Sequence, residues 1–195
     1  PFLALALFAF VSSITPGPNN LMLMASGANF GFRRTIPHML GVALGFVFMV
    51  VLVGAGLVQV FDAFPISYTV LKVASVLYLL YLAWKIANAG PAEASGSGGT
   101  PMTFLQAAAF QWVNPKAWAM AIGVVSSFVK GENPLLEAGI AAGLAAAAGL
   151  TSANGWVLLG VWMQRWLNTD LKHRVFNLVM AAIVASGVIL LLLDH

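Results

Sequence analysis

Long apolar stretches separated by short polar turns run the length of this chain. A helix needs about 20 apolar residues to cross a bilayer's hydrocarbon core. On that measure the pattern predicts roughly six spans, at about 2–28, 36–60, 66–87, 104–129, 135–163 and 175–193. Polar turns lie between them: a basic loop at Gly31-Phe32-Arg33-Arg34, a turn around Asp62 and Pro65, the Gly131-Glu132-Asn133-Pro134 turn, and a basic loop from Arg165 to Arg174. The segment 89–103, rich in Gly, Ser, Ala and Pro, is predicted to be a mobile linker.

Two of these stretches are interrupted where a membrane helix should continue. In the first, Thr15-Pro16-Gly17-Pro18-Asn19-Asn20 removes two backbone donors, and Gly17 lets the chain turn between the prolines. In the fourth, Gln111-Trp112-Val113-Asn114-Pro115-Lys116 sets a proline and a polar cluster near the middle of an apolar run. The residue before each proline is also driven away from the α region. At bilayer depth, freed carbonyls are tolerated only where they face protein or a watery cavity. The two breaks occupy corresponding positions if the chain is two halves of three helices, and an odd number gives the halves opposite orientation. Interrupted helices at matching positions of inverted repeats point to a transporter's midplane site. The expected fold is therefore an all-α membrane protein with six transmembrane helices in two inverted three-helix repeats (1–88 and 104–195), joined by a cytoplasmic linker at 89–103, with helices 1 and 4 interrupted.

The chemistry expected of the breaks follows from their parts. After Pro18 a new helix N terminus begins with Asn19 and Asn20 in its first turn, and its free N–H groups favour a carboxylate. Carbonyls stranded before Pro16 and Pro18 would accept from an ammonium, and Asn19, Asn20, Gln111 and Asn114 offer both donors and acceptors. Together they suit a small zwitterion such as an amino acid. Lys116 is the most informative residue, because a charge at the centre of a span costs about 2.5–3.5 kcal/mol. Asp62, Glu93, Glu132, Glu137, Asp170 and Asp194 all fall in loops or near span ends, so no deep carboxylate is expected to pair with it. It is left with stranded carbonyls, the substrate carboxylate, or a neutral empty state; alternating between proton and substrate would couple transport to protons. Asn154, with Thr151 and Ser152, reads equally as a substrate contact or as interhelical glue.

Composition narrows the classes. Of 195 residues, 61% are hydrophobic and 8% charged, against about 25% charged in a soluble domain. The net charge of +3 sits in juxtamembrane Lys and Arg and not on a nucleic-acid surface. There is no cysteine, which excludes disulfides, thiol relays and thiolate metal sites. His38, His173 and His195 fall at predicted span edges, so neither a metal nor another cofactor is expected. Loops one–two, three–four and five–six hold Arg33, Arg34, Lys85, Arg165, Lys172 and Arg174, whereas the opposite loops hold only Lys130. That asymmetry puts both termini on the periplasmic side. Starting at Pro1, the chain is expected to lack a few N-terminal residues, and no signal-peptide pattern is present.

Gly41-x-x-x-Gly45 and Gly139-x-x-x-Gly143 permit a homodimer and equally permit packing within one chain. The small-residued fifth span is placed inside the bundle, and the leucine-rich sixth towards lipid. Trp84, Trp156, Trp162 and Trp166 read as interface anchors.

The first break, followed by Gly31-Phe32-Arg33, resembles the signature of the LysE/RhtB family of amino-acid exporters, and Asn114-Pro115-Lys116-Ala117 resembles that family's second signature. The likeness covers nearly the whole chain. Ala83-Trp84-Lys85-Ile86-Ala87, Gln111-Trp112-Val113-Asn114 and Gln164-Arg165 look most like the cysteine/O-acetylserine exporter branch. The resemblance implies efflux from the bacterial cytoplasm across the inner membrane, driven by proton exchange. The expectation is thus a secondary transporter of small neutral amino acids or related metabolites. Asn19, Asn20, Gln111, Asn114, Lys116 and Asn154 would contact the substrate, and Thr15, Pro16, Gly17, Pro18 and Pro115 would shape the breaks. A small-solute channel is the alternative. A membrane enzyme is a weaker one, for the spans show neither a deep Asp pair nor a Ser–His partner.

Overall fold

The computed structural model describes residues 2–89 and 99–193, and among them the chain is entirely helical. In chain order the elements are α1 (Phe2–Ile14), α2 (Pro18–Phe30), α3 (Phe32–Gly54), α4 (Leu57–Ala63), α5 (Ile66–Ala87), α6 (Phe104–Val113), α7 (Pro115–Phe128), α8 (Pro134–Met163) and α9 (Asp170–Leu193). Four of them, α3, α5, α8 and α9, are long and apolar enough to cross a membrane. The pair α1 and α2, bent by 57° at the first break, makes a fifth candidate. Helices α6 and α7 are shorter, 10 and 14 residues, and meet at Asn114. Most of the expected linker, residues 90–98, lies outside the described residues, as do Asp194 and His195.

Several boundaries differ from expectation for local reasons. The basic loop after the first span contracts to Gly31, whose φ of 82° is one that side-chain-bearing residues rarely adopt. Helix α3 starts at the next residue, so Arg33 and Arg34 lie in its first turn, with the Arg34 guanidinium 5.1 Å from the centre of the Phe30 ring. The second span ends at Gly54 instead of near Val60, because Gly56 turns left-handed (φ 106°) and opens the short helix α4. Asp62 is therefore helical, and it accepts a 2.6 Å hydrogen bond from the Tyr68 hydroxyl. Helix α9 begins at Asp170, which turns Lys172 and Arg174 from loop residues into helical ones. Asn133 caps α8 ahead of its Pro134, as the turn predicted there requires.

The bundle is assembled on α8, against which α1, α2 and α3 pack. Here small residues bring backbones together. A Cβ on Gly27 would sit 2.3 Å from the Val157 carbonyl oxygen, and one on Gly160 would sit 2.0 Å from that of Met24. Gln164, just past α8, donates to the last α2 carbonyls, Gly27 O at 3.3 Å and Ala28 O at 3.0 Å. Gly41 and Gly45 pack on α6, where added Cβ atoms would lie 2.4 Å from Phe104 O and 2.7 Å from Ala108 Cα. The first glycine pair is thus consumed within the chain, while Gly139 and Gly143 have nothing within 4 Å. Only one side of α8 is therefore inside the bundle. Helix α9 likewise buries Phe176, Met180, Ala181, Val184 and Val188 and exposes Leu190, Leu192 and Leu193. Much of the remaining exterior is apolar, with Leu44, Phe48, Leu77 and Leu105 exposed, as suits lipid contact.

Gly160→Ala should destabilise the fold by about 1–3 kcal/mol, since backbone rather than a flexible side chain must retreat. Gly139→Ala should stay within about 0.5 kcal/mol of the parent. Thermal unfolding midpoints in one detergent, compared across the two variants, check both.

Candidate functional site

The first break exposes the last carbonyls of α1, and each of them finds a side chain. Ser12 O accepts from the Thr15 hydroxyl (2.9 Å), and Ser13 O accepts from the Asn20 amide (2.6 Å) and the Ser152 hydroxyl (2.8 Å). Ile14 O accepts from the Trp156 indole at 3.2 Å. Thr15 O accepts from the Asn20 amide and the Lys116 ammonium, both at 2.8 Å. Lys116 Nζ also donates to the Thr15 hydroxyl oxygen at 2.9 Å. A cation at a helix C terminus is where the dipole favours it. Of the pairings open to Lys116, the structure thus has it on one stranded carbonyl, Thr15 O, with the Thr15 hydroxyl beside it.

The second break is held by its own chemistry. Asn114, placed before a proline, is extended (φ −97°, ψ 110°), and its side chain accepts from Lys116 N at 3.1 Å, capping α7. The Trp118 indole donates to Trp112 O, left over at the end of α6, at 2.8 Å. The two breaks are joined by a reciprocal amide pair across 92 residues: Asn19 Nδ2 donates to Gln111 Oε1 at 2.8 Å, and Gln111 Nε2 donates to Asn19 Oδ1 at 3.1 Å. Gly17 permits the crossing of Lys116, since a Cβ there would meet its Cδ at 2.9 Å and its Nζ at 3.2 Å.

These groups surround one cavity of about 70 Å³, room for about two waters. Gly17, Asn19, Asn20, Gln111, Asn114 and Lys116 line it. Leu23, Met39, Phe46 and Met120 form its apolar wall, and Ala145, Gly149 and Ala153 of α8 bring in small side chains. Five of the six expected contact residues are therefore gathered in one place. Asn154 is not: its amide donates to Leu150 O of its own helix at 2.7 Å, and the cavity does not include it. Thr15, Pro16, Pro18 and Pro115 lie at the two helix breaks and are not among the residues that line the cavity.

Some participants went unread. Ser13 lines the cavity, and Ser152 is its interhelical partner, a role the sequence reading spread over Thr151, Ser152 and Asn154. Trp156, read as an interface anchor, braces the first break, whereas Trp84, Trp162 and Trp166 are exposed. Lys72, the seventh residue of α5, escaped the loop-charge count because it lies in a span. It lines a separate cavity of about 560 Å³ with Phe61, Tyr68, Trp112 and Trp118.

Chemically, the cavity at the breaks offers an ammonium, amide donors and acceptors, and an apolar wall. Among the described residues the N–H groups of Asn19 and Asn20 meet no backbone carbonyl, and no cluster of His, Cys, Asp and Glu could hold a metal. A double-mutant cycle on Asn19→Ala and Gln111→Ala should return a coupling of about 0.5–3 kcal/mol, the double variant losing less than the two singles together. Denaturation of all four proteins in detergent gives that number.

A family model described as LysE type translocator matches residues 10–194. The cysteine/O-acetylserine efflux proteins of Escherichia coli (strain K12), Shigella sonnei (strain Ss046) and Shigella flexneri are each 31% identical over 182 residues, covering 91% of this chain and 90% of the relative. No solved structure matches.

Proposed function

Since the chain belongs to the LysE type translocator family, and is a multi-pass membrane transporter rather than an enzyme, we propose that it exports a small neutral amino acid or related metabolite in exchange for protons. Cysteine and O-acetylserine are the first substrates to try, given what its relatives are named for; homoserine, threonine and leucine come next. In this reading α1–α2 and α6–α7 each count as one interrupted span. The chain then has six, in two inverted halves (1–88 and 104–195), in a bacterial inner membrane with both termini periplasmic.

The observation that carries the proposal is Lys116 Nζ reaching from the second break to Thr15 O and Oγ1 at the first. A substrate carboxylate arriving beside the N–H groups of Asn19 and Asn20 competes for the same ammonium. Its own ammonium takes the carbonyls that Lys116 releases, and its side chain rests on Leu23, Phe46 and Met120. Binding therefore exchanges the contact between the two breaks for contacts to the solute. That differential contact is what a carrier needs to shift between states. For exchange, Lys116 gives its proton to the cytoplasmic side once the substrate's ammonium has taken its place at Thr15, and regains one from the periplasmic side after the substrate has left, so that proton and substrate cross in opposite directions.

Proteoliposomes preloaded with labelled cysteine, O-acetylserine, homoserine, threonine or leucine test this. One group should leave saturably and show counterflow, at a rate that follows the imposed pH gradient. Lys116→Ala should lower that efflux at least tenfold and abolish the dependence on the gradient. Efflux indifferent to Lys116 and to pH would remove the lysine from the mechanism, and single-channel currents would replace the carrier with a channel.

A further inference from the structure

Beyond the break, α2 carries a second polar face. Roughly 14 Å along the helix from Asn20, a cavity of about 40 Å³ lies between α2, α3, the end of α5 and the segment leading into α6. Its polar wall is Ser26, Asn29, His38 and Lys85, with Thr100 at the rim. Three of these are held by the protein. Ser26 shares a 2.8 Å hydrogen bond with Thr35, and Asn29 is fixed by Ala25 O (2.9 Å), by Asn177 (2.7 Å) and by the His173 ring. Lys85 Nζ rests on Gln106 Oε1 at 3.1 Å, and Gln106 is itself locked in the capping box that starts α6.

His38 is different. It is 1% exposed, and neither ring nitrogen has a partner. A neutral imidazole carries one donor and one acceptor, and burying both empty forfeits their hydration with nothing in return. No carboxylate stands on the cavity wall. A cavity lined by a lysine and by a histidine whose ring nitrogens are unpartnered, with no anion on its wall, has the composition of a carboxylate receptor. About 40 Å³ admits about one water, or a carboxylate group whose remaining atoms extend to the rim at Ala89 and Thr100. The partition towards the cavity at the breaks is Met22 on this side and Leu23 and Met39 on the other; two of the three are methionines, side chains that repack easily.

We propose that this cavity is a second solute-binding site, an antechamber where the substrate carboxylate is held between Lys85 and His38 before it moves along α2 to the break. This rests on the reading of the protein as an exporter of small zwitterions.

Histidine ring resonances of the purified protein in detergent, titrated with acetate and separately with acetamide, test the site directly. The His38 resonance, identified by its loss in His38→Leu, should move with acetate and not with acetamide. It should do so in Lys116→Ala as in the parent, and stay still in Lys85→Ala. In proteoliposomes, His38→Leu or Lys85→Ala should raise the KM for the exported amino acid at least fivefold, with Vmax within twofold. No acetate shift, or an equal shift with acetamide, overturns the site. An acetate shift with an unchanged KM in both variants overturns its place on the path. Normal, pH-independent transport by Lys116→Ala would instead sink the mechanism proposed at the break and leave acetate binding at His38 intact.

Discussion

Everything in this structure answers to one constraint: a helix severed inside an apolar bundle leaves carbonyls that must be satisfied by protein. The end of α1 meets it with donors from three other elements. Asn20 comes from α2, Lys116 from α7, and Ser152 and Trp156 from α8. None of these bonds is local in the sense of an ordinary helix cap except that of Asn20. The break therefore fixes where α7 and α8 must stand, and the cavity is the space left among the groups that meet there. Polar side chains here satisfy the backbone's stranded carbonyls and, in the proposed mechanism, also present chemistry to a solute.

That dual role explains how polar the centre is and how few charges it needs. The Asn19–Gln111 pair is self-complementary, each amide using one donor and one acceptor on the other. Such a pair closes the cavity without leaving a buried group empty, yet it is worth only an ordinary net hydrogen bond each way, about 0.5–1.5 kcal/mol. In the proposed mechanism it is a latch that a zwitterion with matching groups can rival. The ammonium of Lys116 has greater reach, because its partners are a hydroxyl and a carbonyl at a dipole's negative end and not a carboxylate that would hold it permanently.

Much of this was legible in the chain. Proline chemistry is local and strong, so both breaks fell where Pro16, Pro18 and Pro115 put them, and the third span matched Ile66–Ala87 residue for residue. What could not be read was whatever depends on a neighbour. The short helix α4 exists because Gly56 can turn left-handed, which an apolar run does not announce. Gly41 and Gly139 each begin the same spacing, but only the first has a helix lying across it. Asn154 and Ser152 are two residues apart on α8, and helical rotation alone decides that Ser152 meets α1 while Asn154 bonds its own backbone. His38 looked like a span-edge residue because the loop before it was drawn too long; with a one-residue turn at Gly31, it is carried into the interior.

The closeness of α2 and α8 bears on how such a molecule could move. With Gly27 against Val157 and Gly160 against Met24, the two backbones touch, and Gln164 ties the end of one to the end of the other. Sliding one past the other would drive Leu23 or Val161 into space that holds only a glycine's hydrogens. The pair consequently behaves as a single stiff strut. Helix α2 is bounded by Gly17, extended, and Gly31, left-handed, so bending is concentrated in two pivots at the strut's ends. Motion, on this anatomy, belongs to the helices that swing about the strut.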